Sequence, residues 1–296
     1  MKKIVGILLA LCVLFGCSAN KTEKIEERDL KIVAPNGAPA LSLLSIMDKE
    51  NLSLDIVDGA EVLQAEFVNG EADIIIAPVN LGLKLSEKTG NYKLASVLTW
   101  GNLHLVSTNS DGSSKIAAFG EAAVPGKVIN FLKEELNIEE IEWFAEVSET
   151  SAALINGTVD TAILAEPFLT MTKGKYEGTI YEIMDVQKVY ENKTGYSSYP
   201  QAAMFVNVNL LNDEYLNVLK EEIKVSIENY NSDSDKLSAR IDDVDLNILG
   251  FKNADLIKKA YSKMALNYKD AKDVKEEITS FLNLFGMELN EELISD

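Results

Sequence analysis

The phrase NGEADIIIAPV begins at Asn69, and NGTVDTAILAEP begins at Asn156. Both open on Asn-Gly, place Asp fifth (Asp73 and Asp160), and run through an apolar stretch into an Ala-Pro or Ala-Glu-Pro corner. A chain that writes one phrase twice builds one unit twice. The helix expected before each Asn-Gly needs a left-handed terminator, which glycine supplies without steric cost. The apolar run after each Asp reads as a strand buried on both faces, the parallel-sheet type. Each corner then delivers a loop to the carboxyl end of that strand, where open α/β sheets bind ligands.

The rest of each unit is legible around these anchors. Residues 31–34 read as a strand, Pro39 stands at the entry of a helix over 40–47, Leu52, Leu54 and Ile56 alternate as a strand, 61–68 has helical spacing, and 72–77 is the buried strand. The order restarts with a strand at 115–119, a loop at 120–123, a helix over 124–136, a strand at 141–145, a helix over 151–155 and a strand at 161–165. Such alternation predicts an α/β fold. Two strand-like stretches, 94–108 and 199–207, bracket the second unit, and helices are expected over 210–230, 253–267 and 271–285. The predicted division is lobe 1 over 29–107 and 199–296, and lobe 2 over 108–198. Two strands cross between the lobes, which permits a hinge and a cleft.

The N-terminus is read apart from this body. A basic head, Met1-Lys2-Lys3, precedes the uncharged apolar run Ile4–Phe15, too short for the ~20 residues that span a bilayer. The run ends in Leu14-Phe15-Gly16-Cys17, which resembles the lipobox of bacterial lipoproteins. That resemblance implies a signal peptide over 1–16, lipidation of Cys17, and a tether over 17–28. Both cysteines, Cys12 and Cys17, are then used up, so no disulfide, thiol nucleophile or cysteine metal site is expected. The single histidine, His104, excludes histidine-cluster zinc sites and reads as a structural or surface residue. No metal and no cofactor are expected. A net charge of −19 repels nucleic acid, and contact with the membrane is expected through the lipid alone.

The phrases KIVAPNGAPALSLL, NGEADIIIAP, LTWGNLHLVS, AAFGEAAVP, NGTVDTAILAEP and YPQAAMFV, in that order, resemble a type II solute-binding protein of ABC importers. The nearest branch is that of nitrate, sulfonate, taurine and thiamine-precursor binders. The likeness spans residues 29–210; the helical tail carries no signature of it. It implies a two-lobed fold, each lobe a mostly parallel sheet flanked by helices, joined by two crossing strands. It also implies extracytoplasmic capture of a small molecule by a monomer, with an ABC permease and its ATPase as partners, and no catalysis.

With the lobes facing one another, the loops after the strands line the cleft. The candidates are Asn36, Gly37, Ala38 and Pro39 after the first strand, and Pro78 with Asn80 after the third. Trp100, Gly101 and Asn102 lie on the first crossing, and Phe119, Gly120 and Glu121 after the strand at 115–119. Ser148, Thr150 and Ser151 enter a helix, Glu166 and Phe168 follow the second corner, and Tyr199 with Gln201 lies on the second crossing. Helix N-termini here would favour an anion or a carbonyl oxygen. No Lys or Arg falls in these loops, the nearest being Lys127, whereas Glu121, Glu149, Glu166 and four aromatics do. That balance favours a nitrogen heterocycle or amine, stacked on Tyr199 and accepted by Glu166 or Glu121, over a nitrate, sulfonate or taurine-type anion. Glu166 before Pro167 also fits a plain helix cap, and Trp100 fits core packing. A small-molecule enzyme on the same fold is the second reading; no nucleophile–base pair supports it. An adhesin or a sensor-partner lipoprotein is the third.

Overall fold

The computed structural model describes residues 25–295; the expected signal segment 1–16, Cys17 and the first part of the tether lie outside the described residues. The chain begins with β1 (Leu30–Pro35), α1 (Ala38–Leu41), β2 (Leu52–Val57), α2 (Ala60–Asn69) and β3 (Ile74–Pro78), followed by α3 (Val79–Thr89) and β4 (Tyr92–Trp100). A second set runs β5 (Leu103–Ser107), β6 (Lys115–Phe119), α4 (Val124–Phe131), β7 (Glu140–Phe144), α5 (Val147–Ile155), β8 (Thr161–Ala165), α6 (Phe168–Lys175), β9 (Tyr181–Asp185) and α7 (Val186–Thr194). The return comprises β10 (Pro200–Asn207), α8 (Glu214–Ser232), α9 (Ser234–Asp243), α10 (Ala254–Ala260), β11 (Leu266–Asp270) and α11 (Lys275–Asn283). Among the described residues no helix is long and apolar enough to cross a membrane.

The strands form two sheets, ordered β11-β4-β10-β3-β1-β2 and β7-β6-β8-β5-β9. Each has a parallel three-strand core, β2-β1-β3 in one and β7-β6-β8 in the other, to which the remaining strands add antiparallel. The doubled phrase occupies equivalent places in the two cores. Gly70 ends α2 with φ 68°, and Gly157 follows α5 with φ 71°, both left-handed. Asp73 accepts the Lys31 amide at 2.8 Å as β3 begins, and Asp160 accepts the Asn109 side-chain amide at 2.9 Å as β8 begins.

Helices cover both faces of each sheet. One face of the first sheet packs under α1, α8, α9 and α10, around Leu44, Met204, Ile223 and Tyr261. The opposite face, under α2, α3 and α11, joins a continuous apolar cluster that runs past the crossings to α4 and α7 on the second sheet. A smaller cluster seals α5 and α6 to the other face of that sheet.

Several expectations need correction. The stretch 94–108 is two strands, because the chain leaves the first sheet at Gly101-Asn102 and β5 pairs with β8 and β9. The helix expected over 40–47 keeps α-helical form through Leu41 and tightens into i→i+3 turns (Leu43 to Ala40, Leu44 to Leu41), which bury its apolar side chains all round. The helix expected over 253–267 stops at Ala260, and Ala265 at φ 54° turns the chain into β11, whose Leu266 and Tyr268 alternate inward. Elements α3, α6, α7, β9 and α9 had no counterpart in the sequence reading.

Candidate functional site

Between the carboxyl ends of the two sheets lies a cleft of about 1170 Å³, roomy for a pocket of the usual few-hundred to ~1,000 Å³. The first sheet contributes Asn36 and Gly37 after β1 and Asp58 after β2; the second contributes Glu146 and Ser148 at the head of α5 and Phe168 on α6. A third wall comes from the tail, residues 250–253 and α10. Gly250 approaches so closely that a Cβ there would stand 2.9 Å from Asn36 Oδ1. That oxygen accepts the Gly37 amide at 2.7 Å, shaping the loop.

The two crossings are bonded to each other. The Gly101 amide donates to the Tyr199 carbonyl at 3.0 Å and to Ser198 Oγ at 3.0 Å. A Cβ on Gly101 would lie 2.4 Å from Tyr199 Cε1. The crossings thus form a narrow, shared backbone junction.

Charge in the cleft departs from the rest of the chain. Lys173, Lys175, Lys252 and Lys259 line it against Asp58, Glu146 and Asp255, although the sequence holds 28 basic and 47 acidic residues. Lys173 is held by Glu182. Among the described residues, Lys175, Lys252 and Lys259 have no ion-pair partner. Glu146 is engaged in a reciprocal cap of α5, with the Ala145 and Glu146 amides donating to Glu149. The loops expected to line the cleft carry no Lys or Arg, but α6 and the tail bring lysines into it. The sequence reading missed these lysines because two come from α6, whose FLTMTKGK has no clear amphipathic pattern, and two from a tail without a motif. Phe168, Met171 and Phe251 supply apolar surface beside them.

The expected site residues divide into three groups. Asn36, Gly37, Ser148 and Phe168 line the cleft; Pro39 stands in the first turn of α1, and Ala38 is buried beside it. Pro78, Asn80, Gln201 and Asn102 gather nearer the hinge, since Ala202 pairs with Pro78 and Pro200 with Trp100. Asn80 Oδ1, Asn102 Oδ1 and Gln201 Oε1 are buried there without a hydrogen-bond partner in the protein.

The third group is not brought to the cleft. Tyr199 is 1% exposed and packs in the core, edge-on to Tyr190 and stacked on Phe281. Burial pushes its phenol well above the ordinary tyrosine range. Trp100 is buried, with Nε1 donating to the Asn267 carbonyl at 2.8 Å. Both carboxylate oxygens of Glu166 are taken by Thr170, from its amide at 3.0 Å and its hydroxyl at 2.9 Å, which makes Glu166 a clamp on the first turn of α6. Ser151 meets Thr172 at 2.6 Å and ties α5 to α6, and Thr150 bonds back to the Glu146 carbonyl. Glu121 is exposed, Phe119 packs against the core, and Gly120 forms the turn into α4.

No protein-family model matches the sequence, and no curated protein sequence matches it. Solved structures do share its shape. An ABC transporter structure from Parabacteroides distasonis superposes with a TM-score of 0.73 at 19% identity, covering 91% of this chain and 97% of that one. The ligand-binding component of an ABC-type import system from Staphylococcus aureus, with zinc bound, gives 0.63 at 15% identity, with 91% and 97% covered. The periplasmic aliphatic sulphonate-binding protein SsuA from Escherichia coli gives 0.63 at 10% identity, with 92% of each chain covered. The architecture is the two-lobed periplasmic-binding-protein type II fold.

Proposed function

We propose that this chain is an extracytoplasmic solute-binding lipoprotein. It captures a small molecule between its lobes by hinge closure and delivers it to an ABC permease driven by its ATPase. The observation that carries this reading is a roomy cleft at the facing sheet ends, beside two crossings bonded to each other at Gly101 and Tyr199. The signal-peptide and lipobox pattern around Cys17 supports delivery to the outer face of a membrane and anchorage there by lipid. Catalysis has no support: the engaged carboxylates Glu146, Glu149 and Glu166 cap helices instead of facing one another as an acid–base pair.

Between the two ligand classes weighed from the sequence, the lysines favour the anion. Lys175, Lys252 and Lys259 are exposed, and their ammonium groups attract a carboxylate, sulfonate or phosphate more strongly once closure excludes water from the cleft. Phe168, Met171 and Phe251 favour an organic body on that anion. An amine would have to settle on Asp58 or Asp255 against Lys175, Lys252 and Lys259.

A thermal-shift panel of alkanesulfonates, carboxylates, phosphate esters, amines and pyrimidines tests this. An organic anion is expected to raise Tm, since ligand at ~100 times its Kd adds about 2.7 kcal/mol. The double variant Lys252→Ala/Lys259→Ala is expected to bind that anion about tenfold more weakly while unfolding normally. Stabilisation by amines or neutral heterocycles alone would overturn the anionic reading and leave the carrier; stabilisation by nothing in the panel counts against both.

A further inference from the structure

A second charged cluster lies at the flank of the hinge. In the first sheet the edge strand β11 neighbours β4, and in the second the edge strand β9 neighbours β5. Since β4 and β5 are the two sides of one crossing, these edges meet on the same flank. There Lys263, just before β11, reaches Glu182 of β9 at 3.8 Å, a pair that bridges the lobes. Glu182 also holds Lys173 of α6, and α6 packs against α10 from the other lobe.

Beside this bridge, on β5, stands His104, with both ring nitrogens buried and neither hydrogen-bonded within the protein. The charged groups that face it are Glu182 and Asp185 from β9, Glu166 from the end of β8, and Lys263 from the opposite lobe. Burial holds the imidazole below its ordinary range; the three carboxylates pull it upward, and Lys263 pushes it further down. His104 is the chain's single histidine.

We propose that His104 and the Lys263–Glu182 bridge form a proton-sensitive latch on the hinge, made when the imidazole is neutral and released when it is protonated. The proposal concerns the regulation of the cleft and rests on the hinge-closure reading above. With the bridge made, an imidazolium would be desolvated and face the Lys263 ammonium. Opening withdraws Lys263 and admits water to the ring, while the carboxylates of Glu182, Asp185 and Glu166 stay with it on the same lobe. The closed arrangement therefore has the lower imidazole pKa and binds fewer protons. Closure is favoured above the ordinary histidine range and is lost as pH falls through it.

Linkage through one histidine sets the size. With the open-form imidazole at the ordinary ~6.5, the open-to-closed ratio rises by about tenfold between pH 7.5 and 5.5. Loss of a half-exposed ion pair shifts such a ratio by up to about fivefold. Small-angle scattering of the full chain, without any ligand, measures the ratio against pH. Histidine-selective ¹³C NMR reports His104 directly, as one imidazole signal. The expected result is one midpoint for both, a flat scattering profile over this range in His104→Gln, and in Lys263→Ala a more open form at pH 7.5 with His104 titrating at higher pH. Lys263→Ala changes an exposed side chain and keeps the test open if His104→Gln does not fold. A wild-type profile that stays flat while His104 titrates, a wild-type response that persists in His104→Gln, or an unmoved midpoint in Lys263→Ala would overturn the latch. If the panel above yields no solute but the scattering responds as described, the binding reading fails and the latch stands.

Discussion

Tyr199 shows what a single residue can and cannot reveal. Its ring fills the junction between the lobes, packed on Tyr190 and Phe281 with Gly101 pressed against it. Tyr199→Ala is expected to cost about 3–5 kcal/mol, as for other large aromatics deleted from a core. Tyr199→Phe is expected to change stability by less than about 1 kcal/mol, because the buried hydroxyl has no partner of good geometry and at best the Asn102 backbone nearby. Denaturant unfolding distinguishes the two; a large loss in the Phe variant would mean that the hydroxyl makes an essential bond. Gly101→Ala is expected to cost about 1–3 kcal/mol, since a Cβ 2.4 Å from a fully buried ring must push it aside; unchanged stability would show that the junction yields. The sequence placed both residues at the crossing but assigned Tyr199 to the ligand. On a strand, neighbouring side chains point to opposite faces, and nothing in YPQAAMFV tells which face meets the cleft. Glu166 was equally ambiguous, and its two bonds to Thr170 decide for the helix start.

At the scale of elements, the parallel cores were legible because their signals are local: an apolar strand, a left-handed glycine, and an Asp at the next strand's start, all written twice. The tail was harder to read because its partners are distant in the chain. Arg240 of α9 is the clearest case. Its guanidinium donates to the carbonyls of Leu44 at 3.0 Å and Ser45 at 3.1 Å, and to both oxygens of Asp48, which ties α9 to the turns after α1. Arg240→Lys is expected to lose about 1 kcal/mol, since an ammonium cannot reproduce this fork and Asp48 is half exposed. The guanidinium holds the Asp48 carboxyl below the usual carboxylate range. That part of the stability is present above the unfolded carboxylate pKa and fades as pH falls through the lowered one. Urea unfolding at pH 7 and pH 3 should therefore show the wild type and Arg240→Lys drawing closer at the lower pH; an undiminished gap would place the contribution in the carbonyl bonds alone. The same remoteness hid β11: LNYKD alternates as a strand, but the need for it arises from the open edge of β4.

For the whole molecule, the doubled phrase carries the argument from sequence to lobes, and the crossings carry it from lobes to hinge. The cleft's chemistry was the least legible part, because its charge is set by α6 and by Lys252 and Lys259, which lie far apart in the sequence. A carrier of this design must change shape around its solute, whereas an enzyme or adhesin on the same frame need not. The direct measurement is small-angle scattering of the chain with and without the organic anion that most raises its Tm, at constant pH. A smaller radius of gyration on saturation, reached in Lys252→Ala/Lys259→Ala only at about tenfold higher solute concentration, is the expected result. A bound chain whose scattering profile is unchanged would contradict capture by hinge closure.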